Sequence, residues 1–132
     1  IAEEIYNDTR ARGYTHPQAL GVVANAMAES SLNPKANVVD SNGYRSYGLF
    51  QLNGNGVGKG QNVDYMLTRS GNTNLILNEA QARGKAFAAS TTPGQAASNF
   101  MKEVERPSDP DGSKARERAA LAEALTKYNF GS

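Results

Sequence analysis

The order of apolar and polar residues along the chain predicts a mainly helical protein. Thr15 and Gln18 form a capping-box pattern with Pro17 in the first turn, so a helix begins here and runs to about residue 28 or 29. Pro34 prevents its continuation. Similar signals predict helices over 2–12, 63–68, 74–88 with a break at Gly84, 93–104 and 112–128.

The helix that begins after Thr15 carries a carboxyl group in an unexpected place. Residues 13–28 contain no Asp, Glu, Lys or Arg, and Val22 and Ala26 add apolar atoms outside the main apolar stripe, which is typical of a buried helix. Glu29 is the first charged residue after this run. Apolar neighbours and the negative end of the helix dipole both favour a protonated carboxyl group, so we expect Glu29 to act as a general acid.

The segment between this helix and the later ones is polar. Residues 30–52 alternate only briefly between apolar and polar side chains, which indicates a small hairpin or an irregular loop. Residues 53–61 are rich in glycine and poor in apolar atoms, so we expect a mobile loop without an apolar anchor. The predicted fold class is mainly α, of the α+β kind, with the polar segment facing the functional site.

Length and charge limit the classes of function. The 132 residues correspond to one domain, 1–132, and a net charge of +1 gives no indication of nucleic acid or of an anionic membrane as partner. No apolar run reaches the roughly 18 residues of a membrane-spanning helix, so we expect no membrane insertion. Because the chain starts at Ile1 within a predicted helix, we expect it to be a domain of a longer protein.

Several apparent motifs fail when their spacing is checked. The glycine-rich stretch around Lys59 lacks the Ser or Thr that follows the lysine of a phosphate-binding loop. Asp109 could begin a calcium-binding loop, but Ala120 stands where a bidentate glutamate is needed. There is no cysteine, and His16 is the only histidine, so thiolate sites and paired-histidine zinc sites are excluded.

The residues that follow Glu29 have the right chemistry to bind saccharides. Tyr44 and Tyr47 offer flat rings with a polar edge, and Gln51 and Asn53 offer amide groups for hydroxyl and acetamido substituents. Each residue also has a simpler interpretation. Glu29 could be a solvated charge at a helix end, the tyrosines could pack the loop against the core, and Gln51 could satisfy loop backbone groups.

The order of short motifs resembles a known group of enzymes. Glu29-Ser30, Asn33-Pro34 and 48–51 (Gly-Leu-Phe-Gln) are similar to the signature of soluble lytic transglycosylases and goose-type lysozymes. Gly-Leu-Phe-Gln together with the downstream Glu105-Arg106-Pro107 is closer to the phage tail lysozyme family.

This resemblance implies a lysozyme-like fold in which a helical lobe and a small hairpin lobe enclose a cleft for glycan. It implies that Glu29 cleaves the β-1,4 bond between N-acetylmuramic acid and N-acetylglucosamine in peptidoglycan, with no metal and no organic cofactor. Ser30 and Glu105 become substrate contacts beside Tyr44, Tyr47, Gln51 and Asn53. The expected setting is the phage tail or the bacterial cell wall after export, with other modules of a virion protein as further partners.

The sequence leaves undecided which residue, if any, is the second catalytic group. Asp40 is the only Asp or Glu between Glu29 and Asp64, and at the tip of a hairpin it could face the cleft or belong to a polar turn. Asn53 stands where goose-type lysozymes carry an aspartate. A single glutamate suits a lytic transglycosylase, in which the 6-hydroxyl of muramic acid attacks, whereas an inverting hydrolase needs a base for water.

Two further questions remain at this point. Glu103 and Glu105 are also candidates for chemistry, but Glu105 could instead pair with Arg106 or with an arginine of the last helix, such as Arg116, and brace the fold. The alternative to an enzyme is a catalytically silent peptidoglycan-binding or virion structural domain with the same cleft. Retention of Glu29 favours the enzyme.

Overall fold

The structure is a computed structural model, and it describes residues 1–131. Its α-helices are α1 (Ala2–Ala11), α2 (His16–Ser30), α3 (Val63–Met66), α4 (Arg69–Arg83), α5 (Lys85–Ala88), α6 (Pro93–Phe100) and α7 (Ser113–Ala124). A π-helical turn (Met101–Glu105) continues α6, and a 3₁₀ turn (Leu125–Lys127) continues α7. The strands are β1 (Asn37–Val39), β2 (Arg45–Tyr47) and β3 (Leu52–Asn53). The predicted mainly helical α+β fold is confirmed.

Helix α2 lies in the centre of the fold. It contacts α1, α6 and α7, and every residue from 18 to 26 is buried. Gly21 lets α6 approach closely, because a β-carbon there would collide with Ala96 and the backbone of Ala97. Each fully buried large apolar side chain stabilises such a core by about 1.5–3 kcal/mol. The helix is therefore a fixed base for the residues in its last turn.

The two ends of α2 follow from local sequence. The Thr15 hydroxyl accepts the Gln18 backbone N–H at 3.3 Å, and the Gln18 side chain accepts the Thr15 N–H at 2.9 Å, which confirms the predicted capping box. The helix ends at Ser30, and Ser31 takes a left-handed φ of 53°. Glu29 therefore lies in the last turn of α2, one residue before its end.

The three strands form an antiparallel sheet in the order β1–β2–β3. Val38 pairs with Ser46, and Ser46 also pairs with Asn53. The buried Asn72 of α4 fixes the end of the sheet, because its side chain donates to the Tyr47 carbonyl and accepts the Phe50 N–H, both at 2.8 Å. The hairpin alternative for residues 30–52 is therefore the one that forms.

The predicted start of one helix is wrong. Helix α4 begins at Arg69 rather than at residue 74, because the Thr68 side chain caps it. At the start of α7, Asp111 accepts the N–H group of Ser113, and Asp109 accepts those of Lys114 and Ala115.

The glycine-rich loop also differs from expectation. Val57 packs against the core and Gly58 is buried, so the loop has the apolar anchor that was not expected. Backbone hydrogen bonds such as Gly58 N–H to the Asn53 carbonyl, at 3.0 Å, hold it in successive turns. None of the helices within residues 1–131 combines the length and apolar character needed to cross a bilayer.

Candidate active site

A cleft of about 730 Å³ lies between the helical part and the sheet. Its polar lining comes from the end of α2, the hairpin, the π-helical turn and the start of α7. The polar and charged side chains that line it are Glu29, Asp40, Ser46, Gln51, Asn53, Glu105, Arg106 and Lys114. Val38, Leu52, Ile76 and Val104 add apolar surface. A cleft with this mixture of surfaces can hold a chain of sugar rings.

Glu29 is held in a buried ion pair. Its Oε1 accepts a short hydrogen bond from Nη2 of Arg118, and the side chains are only 17% and 7% exposed. The other guanidinium arm donates to Oδ1 of Asn25 at 2.7 Å. The Asn25 amide in turn donates to the carbonyls of Gly21 and Ala97, at 2.9 and 3.0 Å. This network fixes the carboxyl group of Glu29 at the cleft.

Glu105 is the second carboxyl group on the helical side of the cleft. Its Oε1 is buried and receives no hydrogen bond from any residue between 1 and 131. Burial raises the pKa of Glu105 well above its ordinary value, the negative charge of Glu29 raises it further, and Arg118 opposes the rise. Glu105 therefore keeps its proton at pH values at which an exposed glutamate has lost it.

The position of Glu105 depends on the π-helical turn. Arg106 donates its backbone N–H to the Met101 carbonyl at 2.6 Å, five residues back, and takes a left-handed φ of 51°. Such widened turns inside helices are frequent at functional sites. The turn brings Glu105 and Arg106 onto the cleft together.

Among the described residues, Glu105 forms no ion pair with Arg106 or Arg116, but the charge of Arg118, another arginine of the last helix, does oppose the rise of its pKa. Arg116 donates to the Asp111 carbonyl at 3.0 Å, whereas Arg118 takes Glu29 as its partner. Glu103 does not line the cleft, and its carboxylate caps α5 by accepting the backbone N–H groups of residues 86 and 87. The residues that brace the fold through these contacts are therefore Glu103 and Arg118.

Asp40 approaches the cleft from the hairpin. It follows β1 directly, and the turn is closed by backbone hydrogen bonds such as Asp40 N–H to the Tyr44 carbonyl at 2.9 Å. Its Oδ2 accepts a short hydrogen bond from the Ser46 hydroxyl and another, at 2.8 Å, from the Asn53 amide. Asn53 therefore orients the carboxylate of Asp40.

The other predicted sugar contacts divide into two groups. Gln51 lines the cleft, and its amide nitrogen donates to the carbonyls of Ala36 and Gly48, so it also satisfies loop backbone groups. Ser30, Tyr44 and Tyr47 are absent from the lining of the cleft.

Each of these three side chains has a physical reason to lie elsewhere. The Ser30 hydroxyl donates to the Ala26 carbonyl at 3.0 Å, back along its own helix. Side chains alternate along β2, so Ser46 faces the cleft while Tyr47 packs against the core. Tyr44 is half exposed at the end of the hairpin.

Three members of the site, Asn25, Ser46 and Arg118, carry no motif that marks them in the sequence. Arg118 does interrupt an apolar stripe of α7 between Ala115 and Ala122. A cation at a core position of a helix requires a buried partner, and this is the signal that could have revealed it. Asn25 gives a weaker signal of the same kind within the otherwise uncharged run before Glu29.

The comparisons with known proteins agree with the motifs. No curated protein matches the chain. The family model described as phage tail lysozyme matches residues 1–128, which is nearly the whole chain. That match spans both sides of the cleft, the Gly-Leu-Phe-Gln segment and the Glu-Arg-Pro segment. This chain belongs to the phage tail lysozyme family.

Proposed function

We propose that this protein cleaves the β-1,4 bond between N-acetylmuramic acid and N-acetylglucosamine in bacterial peptidoglycan, with Glu29 as general acid. Family membership supports the coarser part, a lysozyme-like action on peptidoglycan. One observation carries the assignment of the acid: Glu29 lies in the last turn of the buried α2 and lines the cleft. A glycan strand bound in the cleft would therefore lie beside this carboxyl group.

In the first step, Glu29 donates its proton to the glycosidic oxygen while the bond to the anomeric carbon breaks. The bonding electron pair stays on the leaving oxygen, and positive charge develops on the muramic acid ring. Arg118 stabilises the carboxylate that remains, because its guanidinium already hydrogen-bonds Oε1. Arg118 and Asn25 also keep the carboxyl group from turning away from the bond.

In the second step, an oxygen nucleophile forms a bond to the anomeric carbon. In hydrolysis, Asp40 takes a proton from a water molecule that attacks from the hairpin side, with the carboxyl groups about 6.5–9.5 Å apart for an inverting enzyme. In lytic transglycosylation, the 6-hydroxyl of muramic acid attacks instead and leaves a 1,6-anhydro end. Asp40 lines the cleft and is oriented by Asn53 and Ser46, an arrangement that favours hydrolysis.

Substrate binding draws on polar groups along the cleft. Gln51, Asn53 and Glu105 offer amide and carboxyl groups to hydroxyl and acetamido substituents. A longer strand would extend past the cleft toward the exposed ring of Tyr44. We expect the domain to act in the phage tail on the cell wall, joined to other modules of a virion protein.

One observation also supports a second candidate function. The ion pair between Glu29 and Arg118 ties α2 to α7, so it would brace the fold of a catalytically silent wall-binding or virion structural domain equally well. The two functions separate in a digestion experiment.

The experiment treats purified peptidoglycan with wild type, Glu29→Gln and Glu117→Gln, and analyses the soluble products by mass. Glu117 is exposed on α7 and provides a control for the same chemical change. Loss of the acid should lower the rate by roughly 10²–10⁴-fold, whereas the control should match wild type.

Each other outcome decides something. Equal digestion by wild type and Glu29→Gln would refute the assignment of Glu29 as the acid. A wild type that is inactive on sacculi of varied chemistry would favour the catalytically silent domain. Products with reducing ends one water heavier identify a lysozyme, and 1,6-anhydro ends identify a transglycosylase.

A further inference from the structure

We propose that Arg106 and Lys114 form a subsite for the carboxylates of the peptide stem that muramic acid carries in peptidoglycan. The inference rests on the proposed function, because it starts from a glycan strand bound in the cleft. It adds a determinant of substrate specificity to that site. The two cations take no part in the cleavage steps or in the sugar contacts described above.

Both cations line the same cleft as Glu29 and come from neighbouring segments of the chain. Arg106 directly follows the π-helical turn, and Lys114 is the second residue of α7. Both are exposed, and neither side chain forms an ion pair or a hydrogen bond with any residue from 1 to 131. Their charges are therefore available to a ligand in the cleft.

The acids between the two cations are engaged by the backbone. Asp109 accepts the N–H groups of Lys114 and Ala115, at 3.0 and 3.1 Å. Asp111 accepts the N–H group of Ser113 at 3.0 Å. These carboxylates cap the start of α7 and form no ion pair with a side chain of residues 1–131. The loop therefore leaves the charges of its cations unneutralised.

The acids on the walls of the cleft have other partners or stay apart from these cations. Glu29 pairs with Arg118, and Asp40 accepts hydrogen bonds from its own hairpin. Glu105 forms no ion pair within the described chain. Complementary charge across an interface provides specificity. This edge of the cleft therefore favours a ligand that brings its own negative charge.

The backbone holds both cations in fixed positions. Arg106 takes its left-handed φ of 51° and donates its N–H to the Met101 carbonyl at 2.6 Å. Pro107 follows, and its ring restricts the chain further. Lys114 is held by the carboxylate of Asp109. A ligand therefore binds a backbone that is already ordered, which lowers the entropic cost of binding.

A second cavity continues the subsite away from the cleft. Its volume is about 450 Å³, and Arg106 and Pro107 line both this cavity and the cleft. Lys102 lines the second cavity, is exposed and has no ion pair among residues 1–131. A chain that leaves the cleft beside Arg106 can therefore enter this cavity and meet a third cation.

The chemistry of peptidoglycan identifies the part that fits. The sugar rings present hydroxyl and acetamido groups, which are neutral. Negative charge comes from the peptide stem, which is joined to the lactyl group of muramic acid and carries free carboxylates. The stem thus begins on the ring whose bond is cut. The guanidinium of Arg106 can bind a carboxylate through two parallel N–H donors, and Lys114 adds a second positive charge.

The test uses one substrate in a charged and a neutral form. Soluble glycan strands with uncross-linked stems are freed of wall teichoic acid and acetylated on their amino groups. Half of the material then has its carboxyl groups converted to methylamides. Both forms are digested by wild type, by Arg106→Gln/Lys114→Gln and by the control Lys85→Gln/Lys127→Gln. The control removes the same charge from exposed lysines outside the cleft.

Wild type and the control should cleave the charged strands with a kcat/KM about tenfold higher than the methylamide, mainly through KM. Arg106→Gln/Lys114→Gln should cleave both forms as wild type cleaves the methylamide, because loss of either partner removes the same interaction. An equal loss on both forms would mean a role other than recognition of stem charge. Equal cleavage of both forms by wild type would mean that the carboxylates are not recognised. Either result overturns the inference.

A binding measurement separates this inference from the proposed function. Calorimetry in the Glu29→Gln background gives the affinity for both forms without cleavage, before and after substitution of Arg106 and Lys114. A preference of about tenfold for the charged strands, lost with the two cations, supports the subsite even where the wild type cleaves nothing. Equal affinities for both forms overturn it, whatever the activity.

The remaining arm addresses a second anion of the cell wall. Strands that retain wall teichoic acid carry phosphodiesters in addition to the stem carboxylates. If the two cations raise affinity only for these strands, and the methylamide binds as well as the charged form, then the ligand is phosphate. That outcome overturns the assignment to the peptide stem. A preference that is the same with and without teichoic acid supports the stem.

Discussion

The carboxyl groups on the two sides of the cleft differ in burial and in their partners. On the helical side, Glu29 and Glu105 are largely buried and share one cation, Arg118. On the hairpin side, Asp40 lies at a turn and accepts hydrogen bonds from a hydroxyl and an amide. Burial beside a like charge raises the pKa of Glu105, whereas Asp40 receives hydrogen bonds from two neutral donors.

The difference shows that one small cleft presents carboxyl groups in two unlike settings, Glu29 and Glu105 on one side and Asp40 on the other. Acid–base catalysis draws on groups that are held in different environments. Here α2 and α7 provide the dry environment, and the three-stranded sheet provides the wet one. The comparison becomes testable when each side is altered separately.

The largest expected effect follows from removing the cation of the helical side. Arg118→Met leaves the carboxyl group of Glu29 unpaired in a buried position, so the free energy of unfolding at neutral pH should fall by about 3–5 kcal/mol. Urea denaturation measures this loss. The loss should shrink at acidic pH, because protonated carboxyl groups no longer need the cation.

A matched control for this substitution lies on the surface. Arg69 also pairs with acids, Glu4 and Asp8, but the three side chains are 27%, 55% and 40% exposed. Arg69→Met should therefore change the free energy of unfolding by no more than about 1 kcal/mol. Equal losses for the two variants would mean that the helical side is not the dry environment described above.

The next effect in size comes from the hairpin side. Asp40→Asn keeps the shape of the side chain but removes the base, so the release of reducing ends should fall by about 10²-fold. Formation of 1,6-anhydro ends, where it occurs, should fall less. Product analysis by mass gives both rates. Asp64→Asn, an exposed position on α3, is the control and should behave as wild type.

A fully active Asp40→Asn enzyme would change the comparison between the two sides of the cleft. It would show that the hairpin side only shapes the cleft, and that Glu29 alone carries the chemistry, as in a transglycosylase. The residues that hold Asp40 would then be sugar contacts. Ser46 and Asn53 would keep their hydrogen bonds to the new amide or to each other.

The parts of the fold that the sequence predicts well are those fixed by local contacts. Thr15 and Gln18 bond within one turn, so the start of α2 can be read directly. The start of α4 is less visible, because residues 69–74 are mostly polar. Asn72 is buried there only because it bonds the sheet and the α3 segment.

The same distinction applies to the site. The exceptional position of Glu29 on an otherwise uncharged helix is a local pattern, and the structure does bring this residue to the cleft. Its partner Arg118 is 89 residues away, and no local pattern says which helix will face α2. The buried state of Glu105 depends on the π-helical turn, whose extra residue is stabilised by tertiary packing rather than by propensity.

The smallest expected effect is a pH dependence of stability that belongs to the helical side. The pKa of Glu105 in the folded protein lies above its ordinary value of 4.5, so between those two pH values the folded state binds more protons than the unfolded state. The stability from this group is complete below pH 4.5 and is lost as the pH rises through the folded pKa. The slope is at most about 1.4 kcal/mol per pH unit.

Denaturation curves at several pH values should therefore show wild type losing stability relative to Glu105→Gln across this window. Parallel curves for the two proteins would mean that Glu105 is solvated when folded, and the contrast between a dry and a wet side would rest on Glu29 and Arg118 alone.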